Sequence, residues 1–245
     1  MKKSLGVDIG GTKISVVLGD EKGSIQIQKV LPTLTGVKTR EGVEILIQTL
    51  LDLKKQAKSG LEGIGVGIPG PVNSAKGIVP KSPNLPGWEN LPLARLLESE
   101  LKLPVLMGND ANAAALGEKF FGQGKGKKDF IYVTVSTGIG SGIIVNGKLL
   151  EGVSFAAGEV GHMTLVPDGV RCKCGKKGCL EAYASGTAMA RTAEEIFKVP
   201  GKSAEKKNVF GKEPVSARIL GFAAKKGNKT ALEIYSTAGF YLGVG

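Results

Sequence analysis

Cysteine and histidine residues suggest metal chemistry, because the three cysteines occupy one short segment, CKCGKKGC at residues 172–179. The only histidine, His162, lies shortly before that segment. Three thiolates and one imidazole complete the tetrahedral ligand set that zinc prefers, and such a closed site is structural rather than catalytic. Buried free cysteines beside an unrelated histidine are the alternative. An odd, clustered set favours metal over disulfides, so we predict zinc bound by His162, Cys172, Cys174 and Cys179.

Two acidic residues bracket this predicted metal site, Glu159 before His162 and Glu181 after Cys179. Zinc would fix both carboxylates where they could accept hydrogen bonds from sugar hydroxyls. Solvated surface charges are the alternative for each of them.

Two glycine-rich turns follow apolar strands, VDIGGTK at residues 7–13 and STGIGSG at residues 136–142. Glycines let backbone amides approach phosphate oxygens, and hydroxyls add further donors. Asp8 could hold Mg²⁺ through water. Each turn taken alone is also consistent with a plain hairpin, whereas two such loops together could bind phosphates from both sides.

A carboxylate starts an alanine-rich helix in GNDANAAA, residues 108–115. Asparagine and aspartate are common helix N-caps, but one cap suffices and here Asn109, Asp110 and Asn112 cluster. Asp110 could accept the proton of a sugar hydroxyl, and the sequence leaves both interpretations open.

Two loops carry prolines, GVGIPGPV at residues 65–72 and KSPNLPGW at residues 81–88. The first is consistent with a buried strand and a Pro-Gly turn. In the second, Asn84 offers a donor and an acceptor to a sugar hydroxyl, although a plain surface loop is equally consistent. Trp88 could be a core residue.

The elements that would position these residues alternate between strands and helices. We predict an antiparallel meander of three strands at residues 5–9, 13–18 and 24–30. Periodicity predicts a helix over 39–57, capped by Thr39. Strands at 64–68 and 105–107 and helices at 91–101 and 110–121 complete an α/β sheet.

The second half of the chain begins with strands at 130–135 and 142–145 and then becomes helical. The predicted helices cover 185–197, 214–225 and the residues from 230 onward. Residues 199–212 are polar and are predicted to be a surface connection.

The net charge of +11 raises nucleic acid as a partner. The lysines are scattered, however, without a recognition-helix pattern, and we predict no specific nucleic-acid partner. Apolar runs are too short for a membrane span, so we expect a soluble, cytoplasmic protein without membrane association.

The motifs in this order resemble the ROK family of repressors and sugar kinases, from Ser4 to the end of the chain. The resemblance implies an α/β, two-domain actin-like ATPase (ribonuclease H-like) fold with a cleft between domains. We assign residues 1–122 to an N-terminal domain and 123–245 to a second domain with the zinc motif. Relatives continue past the last helix with an adenosine-contacting turn and a closing helix, so we expect the C-terminal part to be missing.

The resemblance also assigns residue roles. It implies ATP and phosphate contacts from Asp8, Gly10, Gly11, Thr12, Lys13, Thr137 and Gly138. It implies sugar contacts from Gly70, Asn84, Asn109, Asp110, Glu159, His162 and Glu181. It implies that Asp110 is the general base and that His162, Cys172, Cys174 and Cys179 bind zinc.

The implied activity is ATP-dependent phosphorylation of a hexose at its C6 hydroxyl, with Mg²⁺ accompanying ATP and structural Zn²⁺. Glucose is the expected substrate. Fructokinase or N-acetylmannosamine kinase activity and a non-catalytic sugar-binding role are the alternatives. Family repressors carry a helix-turn-helix before the first phosphate loop. Asp8 of that loop comes almost at the start of this sequence, so we expect no helix-turn-helix and no repressor function. The resemblance also favours a homodimer.

Overall fold

The computed structural model describes residues 1–82 and 84–245 and divides by packing into two compact units. The first comprises Met1–Tyr132 and Gly142–Gly158, and the second comprises Val133–Ser141 and Glu159–Gly245. The predicted domain boundary lies between residues 122 and 123, whereas this division crosses the chain after Tyr132, Ser141 and Gly158. The boundary between functional domains stays a prediction.

The strands in chain order are β1 (Lys3–Ile9), β2 (Lys13–Asp20), β3 (Ile25–Pro32), β4 (Leu61–Ile68), β5 (Val105–Asn109), β6 (Phe130–Val135), β7 (Ile139–Val145) and β8 (Lys148–Leu149). The α-helices are α1 (Thr39–Ala57), α2 (Leu93–Leu101), α3 (Asp110–Phe121), α4 (Glu181–Ala184), α5 (Gly186–Phe197), α6 (Ser203–Phe210), α7 (Ala217–Lys225) and α8 (Lys229–Val244). Short 3-10 helices cover Gly36–Lys38 and Val160–His162.

The main sheet of the first unit has the strand order β3-β2-β1-β4-β5. Strands β1, β2 and β3 pair antiparallel, which confirms the predicted meander. Strands β1, β4 and β5 run parallel to one another. Because the carboxyl ends of parallel strands meet at one edge, the residues that follow β1, β4 and β5 gather there.

Helices α1 and α2 cover one face of this sheet, and their leucines are buried against alternate strand residues. Leu46, Leu50 and Leu53 of α1 are completely buried, as expected for one stripe of a 3.6-residue period. The predicted helix over 39–57 is therefore confirmed. The predicted cap is wrong, since Lys38 is the N-cap residue and the Thr39 hydroxyl instead donates to the Pro86 carbonyl at 3.5 Å.

Helix α3 packs on the sheet at β4 and β5 and begins at Asp110, as predicted. The approach is close, because a Cβ placed on Gly67 of β4 would lie 3.4 Å from the Asp110 Cα. The glycine in β4 therefore lets the start of α3 lie directly on the strand end.

The second unit is mainly helical, with a core between α4, α5, α7 and α8. Residues 199–212 were predicted to be a surface connection, which is wrong, because α6 lies within them. Most of this helix is polar, but at its end Val209 is half-buried and Phe210 packs edge-to-face on Phe197 at 5.6 Å between ring centroids. Two apolar residues at one end thus anchor a helix that shows no apolar periodicity.

Strands β6, β7 and β8 form a separate three-stranded sheet. Strand β6 has its predicted bounds, but β7 begins at Ile139, earlier than the predicted residue 142. Within residues 1–82 and 84–245, no helix is long and apolar enough to cross a membrane.

Candidate functional site

The first glycine turn (residues 10–13) closes the β1–β2 hairpin. The Gly10 N–H donates to the Lys13 carbonyl at 3.0 Å. Thr33 holds the turn from outside, because its hydroxyl donates to the Gly10 carbonyl at 2.7 Å and its N–H donates to the Thr12 carbonyl at 3.1 Å. No sequence pattern indicated Thr33, whose role depends on the register in which Lys13 pairs with Pro32.

Two carboxylates influence each other at the carboxyl edge of the sheet, Asp8 in β1 and Asp110 at the start of α3. Burial raises the pKa of Asp8 above its usual value, and the neighbouring Asp110 charge raises it further, whereas Lys13 opposes the shift. Like charges close together disfavour ionisation, and such a pair is a ready site for a cation.

Asn109 links the carboxyl ends of two neighbouring strands. Its Oδ1 accepts the Asn112 N–H at 3.0 Å and caps α3, while its Nδ2 donates to the Gly70 carbonyl at 3.2 Å. The helix-cap interpretation is therefore correct for Asn109. The same side chain also fixes Gly70, a predicted sugar contact, beside the start of α3.

Asn84 lies next to the first glycine turn, because a Cβ placed on Gly11 would lie 3.2 Å from the Asn84 Cβ. Its loop is anchored by Trp88, which is completely buried and donates its Nε1–H to the Leu34 carbonyl at 2.8 Å. Trp88 is thus a core residue, and Asn84 is exposed. Pro83 of the predicted loop lies outside the described residues.

The first unit therefore brings together nine of the predicted residues at one edge of its sheet. They are Asp8, Gly10, Gly11, Thr12, Lys13, Gly70, Asn84, Asn109 and Asp110.

The second glycine turn (residues 136–139) lies in the second unit and is closed by the Ser136 N–H donating to the Gly138 carbonyl at 2.9 Å. Glu181, at the start of α4, accepts the Ile139 N–H on its Oε2 at 2.9 Å. A Cβ on Gly138 would overlap this carboxylate oxygen, so a side chain at this position would displace Glu181. Thr137, Gly138 and Glu181 are therefore neighbours.

The predicted metal ligands come together, with the ligand atoms of His162, Cys172, Cys174 and Cys179 all within 4.8 Å of one another. The Cys172 Sγ lies 3.8 Å from the His162 Nδ1, and the Cys174 and Cys179 Sγ atoms lie 3.7 Å apart. Tetrahedral zinc with sulfur ligands at about 2.3 Å requires an edge of roughly 3.8 Å between ligand atoms. The donor set and its spacing therefore fit zinc.

The thiols of this cluster have unequal acidity. Burial raises the pKa of Cys179 to about 12, and the neighbouring thiols add to that shift. Burial likewise raises the pKa of Cys172. For Cys174 burial acts in the same direction, but hydrogen bonds from the Lys176 N–H and the other thiols outweigh it and lower the pKa. Metal binding would have to displace these thiol protons.

His162 directs its two ring nitrogens to different partners. Its Nδ1 faces Cys172, and its Nε2 lies 3.8 Å from the Glu159 Oε2. One nitrogen can therefore bind a metal ion while the other remains on the Glu159 side. This geometry is compatible with both roles that the sequence predicted for His162.

Comparisons with known proteins identify the family of the chain. The ROK family model matches residues 4–245. A glucokinase from Thermotoga maritima is 38% identical over 95% of this chain and 73% of its own length. A xylose repressor from Caldicellulosiruptor bescii is also 38% identical, over 79% of this chain and 49% of its own length.

Solved structures give the same result. A ROK family glucokinase from Streptomyces griseus, solved with glucose and AMPPNP, superimposes with a TM-score of 0.83 at 34% identity and covers 98% of this chain and 76% of that one. The mixed α/β fold is that of the actin-like ATPase kinases, and the glucokinase relatives support a sugar kinase activity. The family match spans nearly the whole chain, and the chain belongs to the ROK family.

Proposed function

We propose that this protein is an ATP-dependent hexose kinase that phosphorylates glucose at its C6 hydroxyl. One observation carries the proposal: Asp110, the candidate base, lies at the same sheet edge as Asp8 and the first glycine turn. A proton acceptor and a phosphate-binding turn at one edge are what phosphoryl transfer to a hydroxyl requires.

Asp110 would accept the proton of the sugar hydroxyl as its oxygen attacks the γ-phosphorus. The Ala111 N–H donates to the Asp110 Oδ1 at 2.8 Å, which orients the carboxylate at the helix start. A fixed orientation lowers the entropy lost when the reacting hydroxyl meets its base.

Backbone amides of the first glycine turn, with Thr12 and Lys13, are proposed to bind the ATP phosphates. Asp8 would hold Mg²⁺, which neutralises the charge of the phosphates when it is bound. Thr137 and Gly138 of the second glycine turn are proposed as further phosphate contacts.

The proposed sugar contacts offer both donors and acceptors to hydroxyl groups. They are Gly70, Asn84, Asn109, Asp110, Glu159, His162 and Glu181.

The proposed Zn²⁺ ligands are His162, Cys172, Cys174 and Cys179. Four protein ligands leave no position for water or substrate, so zinc would stabilise the local structure rather than activate a reactant.

A sugar-sensing regulator is the second candidate, because the xylose repressor matches 79% of this chain. Such a protein would bind a sugar through the same residues without turning over ATP. Fructokinase and N-acetylmannosamine kinase activities remain alternatives within the kinase class. A homodimer and the absence of a specific nucleic-acid partner stay predictions.

The first test measures ADP release from Mg-ATP with glucose, fructose, mannose and N-acetylmannosamine supplied separately. Glucose is expected to give the highest kcat/KM. Asp110→Asn should lower kcat by about 10²- to 10⁴-fold, the usual contribution of a general base, while calorimetry should show that glucose still binds. Asp52→Asn, which changes an exposed aspartate of α1, is the matched control.

Each contrary result has a definite meaning. Near-normal turnover in Asp110→Asn would remove this residue from the base role. Sugar binding without ADP release for every sugar would contradict the kinase and favour the regulator.

A further inference from the structure

We propose that Glu181 and Thr187 are positioning residues that hold the second glycine turn in its phosphate-binding shape. The inference rests on the proposed function, since it assumes that this turn binds the phosphates of ATP. Thr187 is outside the predicted site residues, and Glu181 was predicted only as a sugar contact.

The segment that follows Cys179 donates hydrogen bonds to the carbonyl groups of the turn. The Gly186 N–H donates to the Ser136 carbonyl at 2.8 Å. The Thr187 hydroxyl donates to the Thr137 carbonyl at 2.7 Å, and the Thr187 N–H approaches the same oxygen at 3.4 Å. Two successive carbonyls of the turn are thus fixed by the first residues of α5.

Glu181 accepts a hydrogen bond from an amide group at the end of the same turn. Its Oε2 accepts the Ile139 N–H at 2.9 Å, so one carboxylate oxygen is engaged by the protein itself. A charged acceptor strengthens this hydrogen bond relative to a neutral one. Thr187 and Glu181 therefore bind the peptide groups on either side of Gly138, which is one of the proposed phosphate contacts.

These contacts connect the turn to the metal-ligand cluster. Glu181 follows Cys179 by two residues, and the Leu180 N–H donates to the Met163 carbonyl at 2.9 Å, next to His162. Gly161 lies so close to the Ile139 carbonyl that a Cβ there would overlap it. Both chain segments that carry the cluster therefore contact the backbone around Ile139.

Phosphate binding by backbone amides needs those amides to be oriented before the ligand arrives. The second glycine turn joins the neighbouring strands β6 and β7, but the side chains that bind its carbonyl and amide groups lie far along the chain. Thr187 is exposed, and removing its hydroxyl should therefore affect the turn more than the stability of the unit.

The decisive variant is Thr187→Val, which removes the hydroxyl and keeps the side-chain shape. We expect the KM for ATP and the dissociation constant for Mg-AMPPNP to rise about fivefold, the usual effect of one lost hydrogen bond. The KM for glucose should stay within about twofold. Thr187→Ser should restore the wild-type values, and Thr192→Val, on the same helix, is the matched control.

Hydrogen exchange supplies a readout that does not depend on activity. Exchange of the amides at residues 136–140 should become faster in Thr187→Val and in Glu181→Ala. Glu181→Gln keeps a carbonyl acceptor for the Ile139 N–H, so its exchange at these residues should stay close to that of the wild type, even where its sugar affinity falls.

The results separate this inference from the proposed kinase activity. Unchanged exchange at residues 136–140 in both Thr187→Val and Glu181→Ala would overturn the positioning role. Faster exchange with unchanged affinity for Mg-AMPPNP would also overturn it, as would a wild-type chain that binds no nucleotide. A wild-type chain that binds Mg-AMPPNP but phosphorylates no sugar would contradict the proposed kinase, while the nucleotide affinities still decide this inference.

Discussion

The two glycine turns differ in what holds them. The first glycine turn closes a β-hairpin whose strands pair residue by residue, and its outer partner, Thr33, lies 23 residues from Gly10. The second glycine turn also joins strands that are neighbours in a sheet, β6 and β7, but it is braced by Glu181 and Thr187, which lie 42 and 50 residues away. The brace of the first turn therefore comes from the end of its own meander, whereas the second turn also depends on a distant segment.

This difference explains why we expect two similar glycine-rich turns to respond differently when another part of the chain loosens. Strand pairing supports both turns. The second turn is held in addition by side chains from a distant segment, so we expect part of its shape to be lost when that segment loosens. In the second unit, the segment in question is the one that follows Cys179.

The largest expected effect comes from removing the metal. We expect about one zinc per chain by elemental analysis, and we expect a strong chelator or Cys179→Ser to release it. Structural zinc contributes on the order of 10 kcal/mol of binding free energy at neutral pH, so exchange at residues 136–140 should rise by more than tenfold. Exchange at residues 10–13 should barely change.

Lys173→Ala changes a neighbouring residue that is not a ligand and serves as the control for this experiment. Equal loss of protection at both glycine turns would contradict the comparison, because it would mean that the first turn also depends on the metal. Absence of zinc from the purified protein would contradict the metal site itself.

Asp8→Asn should lower turnover with Mg-ATP by about 10²-fold, since a preorganised charge contact contributes this much to many reactions. It should also raise the Tm slightly at pH 7. The pKa of Asp8 is raised in the folded state by burial and by Asp110. The stability that this shift contributes is therefore complete below the unfolded pKa of 3.8 and is lost as pH rises through the folded value.

Calorimetry of Asp8→Asn at pH 7 and near pH 4 checks the direction in which the Tm difference from the wild type changes with pH. The gain in Tm over the wild type should be present at pH 7 and should shrink as the pH approaches 4, while circular dichroism should show an intact first unit. A lower Tm at pH 7 would mean that the ionised Asp8 stabilises the fold, contrary to the shift in its pKa.

The smallest expected effect is that of Thr33→Val. The hydroxyl donates to Gly10, but strand pairing still closes the first glycine turn, so the KM for ATP should rise by less than about threefold. Thr35→Val, in the same connection, is the control. A larger rise than that of Thr187→Val would reverse the comparison between the two turns.

Much of the fold follows from local pattern. Helix α1 has the predicted bounds because its leucines repeat with helical period and lie on one face. Helix α3 begins at the predicted residue because Asn109 is a cap. Helix α6 was missed because most of its residues are polar, and the packing of Phe210 on Phe197, with Val209 beside it, anchors the helix in the folded chain.

The candidate site divides in the same way. Residue types predicted the metal ligands, since His162 and the three cysteines carry recognisable chemistry in any context, and the cluster brings them together. Residue types could not predict Thr33 or Thr187. A threonine has no distinctive signal, and each acts through a carbonyl that only the folded chain brings within reach.

The buried Trp88 has a consequence for altering substrate range. Its ring and its hydrogen bond to the Leu34 carbonyl fix the end of the loop in the core, while Asn84 stays exposed near the first glycine turn. Because Trp88 anchors the loop and Asn84 is exposed, this loop is a suitable target for directed evolution. Libraries that vary Asn84 and keep Trp88 could explore other sugars while the core of the first unit remains folded.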